Sequence, residues 1–278
     1  MIELRCRSRT VEFLPRLMVI LDAMGAMRMI KIAAWLVFAS LAIFPAAALA
    51  ADVDLLLVLA ADVSRSIDAA KFQLQRDGYA AAMADTRVLE TIRAGRLGRI
   101  GLTFVEWSGV GAQHLVIDWT AIGDAASAKD FGDRLVEAPR SFADRTSISG
   151  AIEFAMAQLA RAPFGAPRKT IDISGDGTNN AGPDVPTLRD EAVAKGITIN
   201  GLAILSESPL AWNPEHTNPP GGLDKYYRDN VIGGPNAFVM VAKDFNSFGQ
   251  AIISKIIAEV AQAGEPTFRE PNSWASAR

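Results

Sequence analysis

Three short stretches concentrate carboxylates and hydroxyls: Asp62-Val63-Ser64-Arg65-Ser66, Asp144-Arg145-Thr146-Ser147, and Ser174-Gly175-Asp176-Gly177-Thr178-Asn179-Asn180. Each lies at a junction between an apolar, strand-like run and a helix-like pattern. The donors they offer together, Asp62, Ser64, Ser66, Thr146 and Asp176, are all oxygens. With no His or Cys among them, the set points to a hard divalent cation, Mg²⁺, Mn²⁺ or Ca²⁺, in preference to zinc. Taken singly, each stretch also has a plain reading. A strand-end Asp followed by serines caps helices, and an Asp between glycines serves turns. The argument for a cation is that three such clusters recur in order, each at a strand–helix junction.

The elements that must position these clusters can be read from periodicity. Residues 54–60 (DLLLVLA) form a continuous apolar run, the pattern of a strand buried on both faces of a parallel sheet. Further strands are expected over 99–107, 169–174, 198–205 and 237–241. Residues 112–119 should return as a hairpin partner of 99–107 after the Gly109-Val110-Gly111 turn. Helical spacing appears in Ile148, Ile152, Ala155 and Leu159, and in Phe245, Phe248, Ile252, Ile256 and Val260. Less regular helical patterns cover 67–84 and 125–138, the second with Asp124 as its N-cap, and a short helix over 185–195 is closed by Gly196. Strand–helix alternation predicts an α/β fold: a doubly wound, mostly parallel six-stranded sheet with one antiparallel edge strand and helices on both faces. In such sheets ligands bind beyond the carboxyl ends of the strands, where the three clusters fall.

Of the 278 residues, 50% are hydrophobic and 21% charged, a globular composition. Residues 27–50 have the order of a secretory signal: a basic start at Arg28 and Lys31, an uncharged apolar run over 32–44, and Ala48-Leu49-Ala50 as the cleavage site. The apolar run is shorter than the roughly 20 residues a membrane span needs. An uncleaved anchor is the alternative. Residues 1–26 read as a misplaced gene start or an extended basic leader. Cleavage after Ala50 leaves 228 residues with a net charge of −6 and no cysteine, since Cys6 is the only one. This mature chain is expected in the periplasm or outside the cell, with one domain over 51–263 and a tail over 264–278. It must rely on its core instead of disulfides. The acidic balance excludes a nucleic-acid binder of the usual basic kind.

The D-x-S-x-S signature at Asp62, Ser64 and Ser66, the isolated Thr146, and Asp176 in place of the aspartate of a T-D-G loop resemble the von Willebrand factor type A family. Gly175 departs from the threonine of that loop. The resemblance covers about residues 52–262. The phrases DVSRS, LQRDGY, VEWSG, TSISGAI, SGDGTNN, GITINGL and VIGGP are similar to an uncharacterised family of secreted bacterial proteins with such a domain. The resemblance implies a metal-ion-dependent adhesion site. In it Ser64, Ser66 and Thr146 coordinate directly, and Asp62 and Asp176 act through water or at longer range. Its open metal position favours a protein partner that supplies a carboxylate; the family implies no established activity, and the chain is not expected to be an enzyme.

Arg65 and Arg145 flank the cation residues, where they either steer an acidic partner or form structural salt bridges. Trp212 lies on the long, proline-rich loop 206–222. It is either a contact residue or tucked over a helix end. Asp172, within an expected central strand, needs a partner, and Arg65 or Arg145 are the candidates. His114 and His216 read as solvated or structural, and Trp107 and Trp119 as packing residues. Two other function classes compete. A Mg²⁺-dependent hydrolase would use Asp62 as nucleophile, but Ser64 stands where its second acid is needed. A solute-binding protein would need two lobes, and a single strand–helix series argues against it.

Overall fold

The structure, a computed structural model, describes residues 52–206 and 210–262. The expected leader, signal segment and tail lie outside the described residues. Six strands form one sheet in the order β3-β2-β1-β4-β5-β6. They are β1 (Leu56–Asp62), β2 (Ile100–Trp107), β3 (Gln113–Ile122), β4 (Lys169–Gly175), β5 (Ile197–Ile204) and β6 (Val239–Ala242). All neighbours pair in parallel except β2 and β3, the expected hairpin. Gly111 supplies the positive φ of 72° that its turn requires.

β1 is buried at every position because both of its faces are covered. Leu57, Leu59 and Ala61 point into one core with Tyr79, Phe104, Phe131, Phe248 and Ile252. Leu56, Val58 and Ala60 point into the other with Trp107, Ile148, Ile152, Ile173 and Tyr227. Alternate residues of a strand face opposite sides, so a run without polar interruptions is the signature of this two-sided burial.

The helices are α1 (Ala69–Ala84), α2 (Thr86–Arg93), α3 (Ala125–Glu137), α4 (Ile148–Ala160), α5 (Val185–Ala194), α6 (Pro214–Thr217), α7 (Leu223–Tyr226, continued by a π turn through Val231) and α8 (Phe248–Ala261). Asp124 caps α3 in a capping box with Ser127, as expected. Gly196 follows α5 with a φ of 73°. Three helices, α2, α6 and α7, were not apparent from periodicity. α2 begins where Asp85 takes an extended conformation and accepts the Arg87 amide, restarting the helix one residue after α1 ends. The irregular stripe of α1 has a structural reason: it packs against both α3 and α8. A Cβ at Gly78 would lie 2.6 Å from the Phe248 ring, so the close crossing of α1 and α8 requires glycine there.

Asp172 is buried, but its partner is Lys255 of α8 at 2.7 Å, not Arg65 or Arg145. Lys255 also pairs with Glu259 at 2.6 Å, and Asn200 Nδ2 donates to Glu259 at 3.0 Å. The arginines are excluded by position: Asp172 is in mid-strand, whereas Arg65 lies in the loop after β1 and Arg145 in the loop before α4. Among the described residues no helix is long and apolar enough to cross a membrane.

Candidate functional site

The strand order reverses direction at β1: the chain moves outward to β2 and β3 on one side, then crosses to β4, β5 and β6 on the other. The loops leaving β1 and β4 therefore diverge and open a crevice at their carboxyl ends. Asp62 ends β1, and Asp176 directly follows β4. Thr146 precedes α4, whose N-cap is Ser147.

The five expected residues come together, and all are buried. Asp62 Oδ1 accepts the Ser64 amide at 2.7 Å, folding the loop back over the strand end. Ser64 Oγ and Ser66 Oγ are 3.1 Å apart, and Ser66 Oγ donates to Asp176 Oδ1 at 2.5 Å. The loop is held from behind by Arg140, which donates to the carbonyls of Val63 (2.6 Å), Ser64 (3.2 Å) and Ile67 (2.8 Å). Thr146 is fixed by its backbone: its amide donates to Asn180 Oδ1 at 2.9 Å. Its carbonyl accepts the amides of Asn180 (2.9 Å) and Ala181 (3.1 Å).

Asp62 Oδ2 and Asp176 Oδ2 are buried and accept no hydrogen bond from the described residues. Lys71 Nζ is 3.6 Å from Asp176 Oδ2, an ion pair longer than a hydrogen bond. Burial pushes the Asp62 carboxyl well above its ordinary range, and the charge of Asp176 pushes it further. Burial also raises Asp176, against the opposing effects of Ser66, Lys71 and His216. Two desolvated, mutually repelling carboxylates beside three hydroxyls form a donor set that fits a divalent cation. Among the described residues no three His, Cys, Asp or Glu side chains are grouped so as to hold a metal by themselves. An ion bound here therefore depends on the hydroxyls of Ser64, Ser66 and Thr146.

His216, read from the sequence as solvated or structural, is buried beside the donor set. It is 3% exposed. Its Nε2 is 3.2 Å from Thr146 Oγ1, and its Nδ1 is 3.4 Å from both Thr178 Oγ1 and Asn180 Nδ2. Thr178 N donates to its carbonyl at 2.9 Å, and any side chain at Gly177 would run into its ring. Burial lowers its pKa, against the charge of Asp176. Gly175 has a similar explanation. A Cβ there would lie 2.7 Å from the Tyr227 hydroxyl and 3.0 Å from Asp62 Oδ2, so threonine is excluded by Tyr227.

A cavity of about 300 Å³ opens over this cluster, lined by Arg65, Ser66, Arg145, Thr146, Trp212 and His216 among others. Arg65 forms an exposed ion pair with Asp144 at 3.5 Å, and Trp212 is 68% exposed at the rim. Trp107 is fully buried and Trp119 donates to the Gln158 carbonyl, so both pack. His114 is exposed on the edge strand.

Residues 52–264 match the family described as protein of unknown function (DUF1194). The chain belongs to this family. No curated protein sequence matches it. Proximal thread matrix protein 1 from the mussel byssus shares the fold at 15% identity and a TM-score of 0.50, over 77% of this chain and 47% of that one. The pilus adhesin SpaC from Lactobacillus rhamnosus GG, in its open conformation, shares it at 13% identity and a TM-score of 0.54, over 77% of this chain and 30% of that one. A von Willebrand factor type A structure from Catenulispora acidiphila matches at 16% identity and a TM-score of 0.43, over 77% of this chain and 43% of that one. The DUF1194 chain thus spans less than half the length of each of these structures. Its α/β fold, a six-stranded sheet with one antiparallel edge strand, is the fold it shares with the byssus matrix protein and the pilus adhesin.

Proposed function

We propose that this DUF1194 protein is an exported, divalent-cation-dependent protein-binding module, periplasmic or secreted, that grips an acidic side chain of a partner. The observation that carries this reading is the convergence of Asp62, Ser64, Ser66, Thr146 and Asp176, with two buried carboxylate oxygens that accept no hydrogen bond from the described residues, under an open cavity. Ser64, Ser66 and Thr146 would hold the ion directly, and Asp62 and Asp176 would balance its charge. A bound divalent cation with neutral direct ligands supplies an electron-poor position that attracts a carboxylate. Arg65, Arg145 and Trp212 line the approach and make the surrounding contacts. The naming of two structures with this fold as a byssus matrix protein and a pilus adhesin supports a binding role outside the cytoplasm.

The test is capture of partners from a native envelope extract with Mg²⁺, with EDTA, and with Thr146→Ala in Mg²⁺. Partners retained with Mg²⁺ and lost in the other two conditions are the expected result. Equal retention under all three excludes the cation-dependent mechanism. N-terminal sequencing of the exported protein tests the export reading. A chain beginning at Ala51 is expected, and one still containing Trp35 contradicts cleavage.

A further inference from the structure

We infer that His216 is a nitrogen ligand of the cation site, and that the site is consequently selective for Zn²⁺ over Mg²⁺ and Ca²⁺. This rests on the cation-site reading above and adds a residue and an ion class to it. The imidazole is buried and its two nitrogens have different surroundings. Nδ1 faces Thr178 Oγ1 and Asn180 Nδ2, while Nε2 is turned to Thr146 Oγ1 at 3.2 Å, one of the hydroxyls of the donor set. A metal-bound histidine donates its second ring N–H to an acceptor, and beside Nδ1 that acceptor is Thr178 Oγ1, since Asn180 Nδ2 can only donate.

Several contacts fix that orientation. The Thr178 amide holds the His216 carbonyl at 2.9 Å. Gly177 leaves the space in which the ring lies, because any side chain there would collide with it. The Asn213 carbonyl accepts the His216 amide at 3.2 Å, which makes the turn that carries the ring inward. Because Asp62, Asp176 and His216 do not form a three-ligand site by themselves, the nitrogen adds to the hydroxyl donors and does not replace them. Imidazole nitrogen suits zinc, copper, iron and nickel, whereas magnesium, calcium and manganese favour oxygen, so one such ligand biases the choice of metal.

The test is electron spin-echo modulation of Mn²⁺ bound to the full, untagged chain, together with titration calorimetry of Zn²⁺ and Mg²⁺. The chain has two histidines, which makes the assignment direct. The expected result is imidazole ¹⁴N modulation in the wild type, retained in His114→Gln and lost in His216→Gln. Zn²⁺ affinity should fall by roughly 10-fold or more in His216→Gln, with a smaller change for Mg²⁺. Circular dichroism of His216→Gln confirms that it folds, and the wild-type spectrum tests the ligand without any variant. Mn²⁺ bound without nitrogen modulation overturns His216 as a ligand and leaves the binding-module reading in place. No Mn²⁺ bound to the wild type overturns both.

Discussion

Thr146 Oγ1 and His216 Nε2 lie 3.2 Å apart although 70 residues separate them in the chain. The contact joins the loop before α4 to α6, in the segment after β5. The crevice itself arises from the strand order, which sends the connections after β1 and β4 in different directions. The site is therefore a product of topology and of three well-braced loops, and each brace can be tested separately.

Arg140 braces the Asp62–Ser66 loop through three carbonyls without being positioned to bind the ion. Arg140→Ala should lower cation affinity by about 10–100-fold, the range typical for groups that orient ligands. Arg140→Lys should recover part of it. Calorimetric titration with Mn²⁺ measures this. Unchanged affinity in Arg140→Ala would show that the loop holds its shape without the guanidinium.

The buried Asp172 shares the single ammonium of Lys255 with Glu259. Burial raises the Asp172 carboxyl to about 7, with Lys255 opposing and Glu259 adding to the rise. The folded chain thus holds a proton that the unfolded chain releases at about pH 4. This stabilising contribution is complete below about pH 4 and declines as the pH rises to about 7. Asp172→Asn removes the titration, so its Tm relative to wild type should climb across that interval. Thermal melts in EDTA at several pH values measure this, and a constant difference would contradict it.

Gly175 and the Tyr227 hydroxyl compete for one volume. Gly175→Ala should destabilise by about 1–3 kcal/mol through overpacking. Combining it with Tyr227→Phe should cost less than the sum of the two single changes, because removing the hydroxyl frees the space. Urea unfolding of the four proteins checks the coupling, and strict additivity would argue against the contact.

The fold was largely legible because its decisive signals are local. The unbroken apolar run before Asp62 marks a doubly covered strand, and Asp124, Gly111 and Gly196 mark their cap and turns through their own side-chain and backbone chemistry. Asp62, Ser64, Ser66 and Asp176 could be collected for a similar reason: they stand at strand–helix junctions, and the topology brings such junctions to one edge, whereas Thr146 stands between the helices α3 and α4 and was found by its place before the Ile148 helix. What escaped depends on contacts distant in sequence. His216 reaches Thr146 from a proline-rich loop with no periodicity to orient it. Lys255 lies on the inward stripe of an apolar helix. The local signals there were Lys255 between Ile252 and Ile256 and the acid Glu259 four residues on, both of which mark a buried pair. Asp85 directly before Thr86-Arg87-Val88 was a cap signal for α2, masked by the helical pattern running into it.

The most direct test of the central claim is Mn²⁺ titration of the wild type and of Asp176→Ala, paired with thermal melts. The account predicts one ion bound per wild-type chain and a rise in Tm. The stabilisation should be about 2.7 kcal/mol when free Mn²⁺ is a hundredfold above its Kd. In Asp176→Ala both the binding and the rise should disappear. Equal binding and an equal rise in Asp176→Ala, or no binding to the wild type, would contradict it.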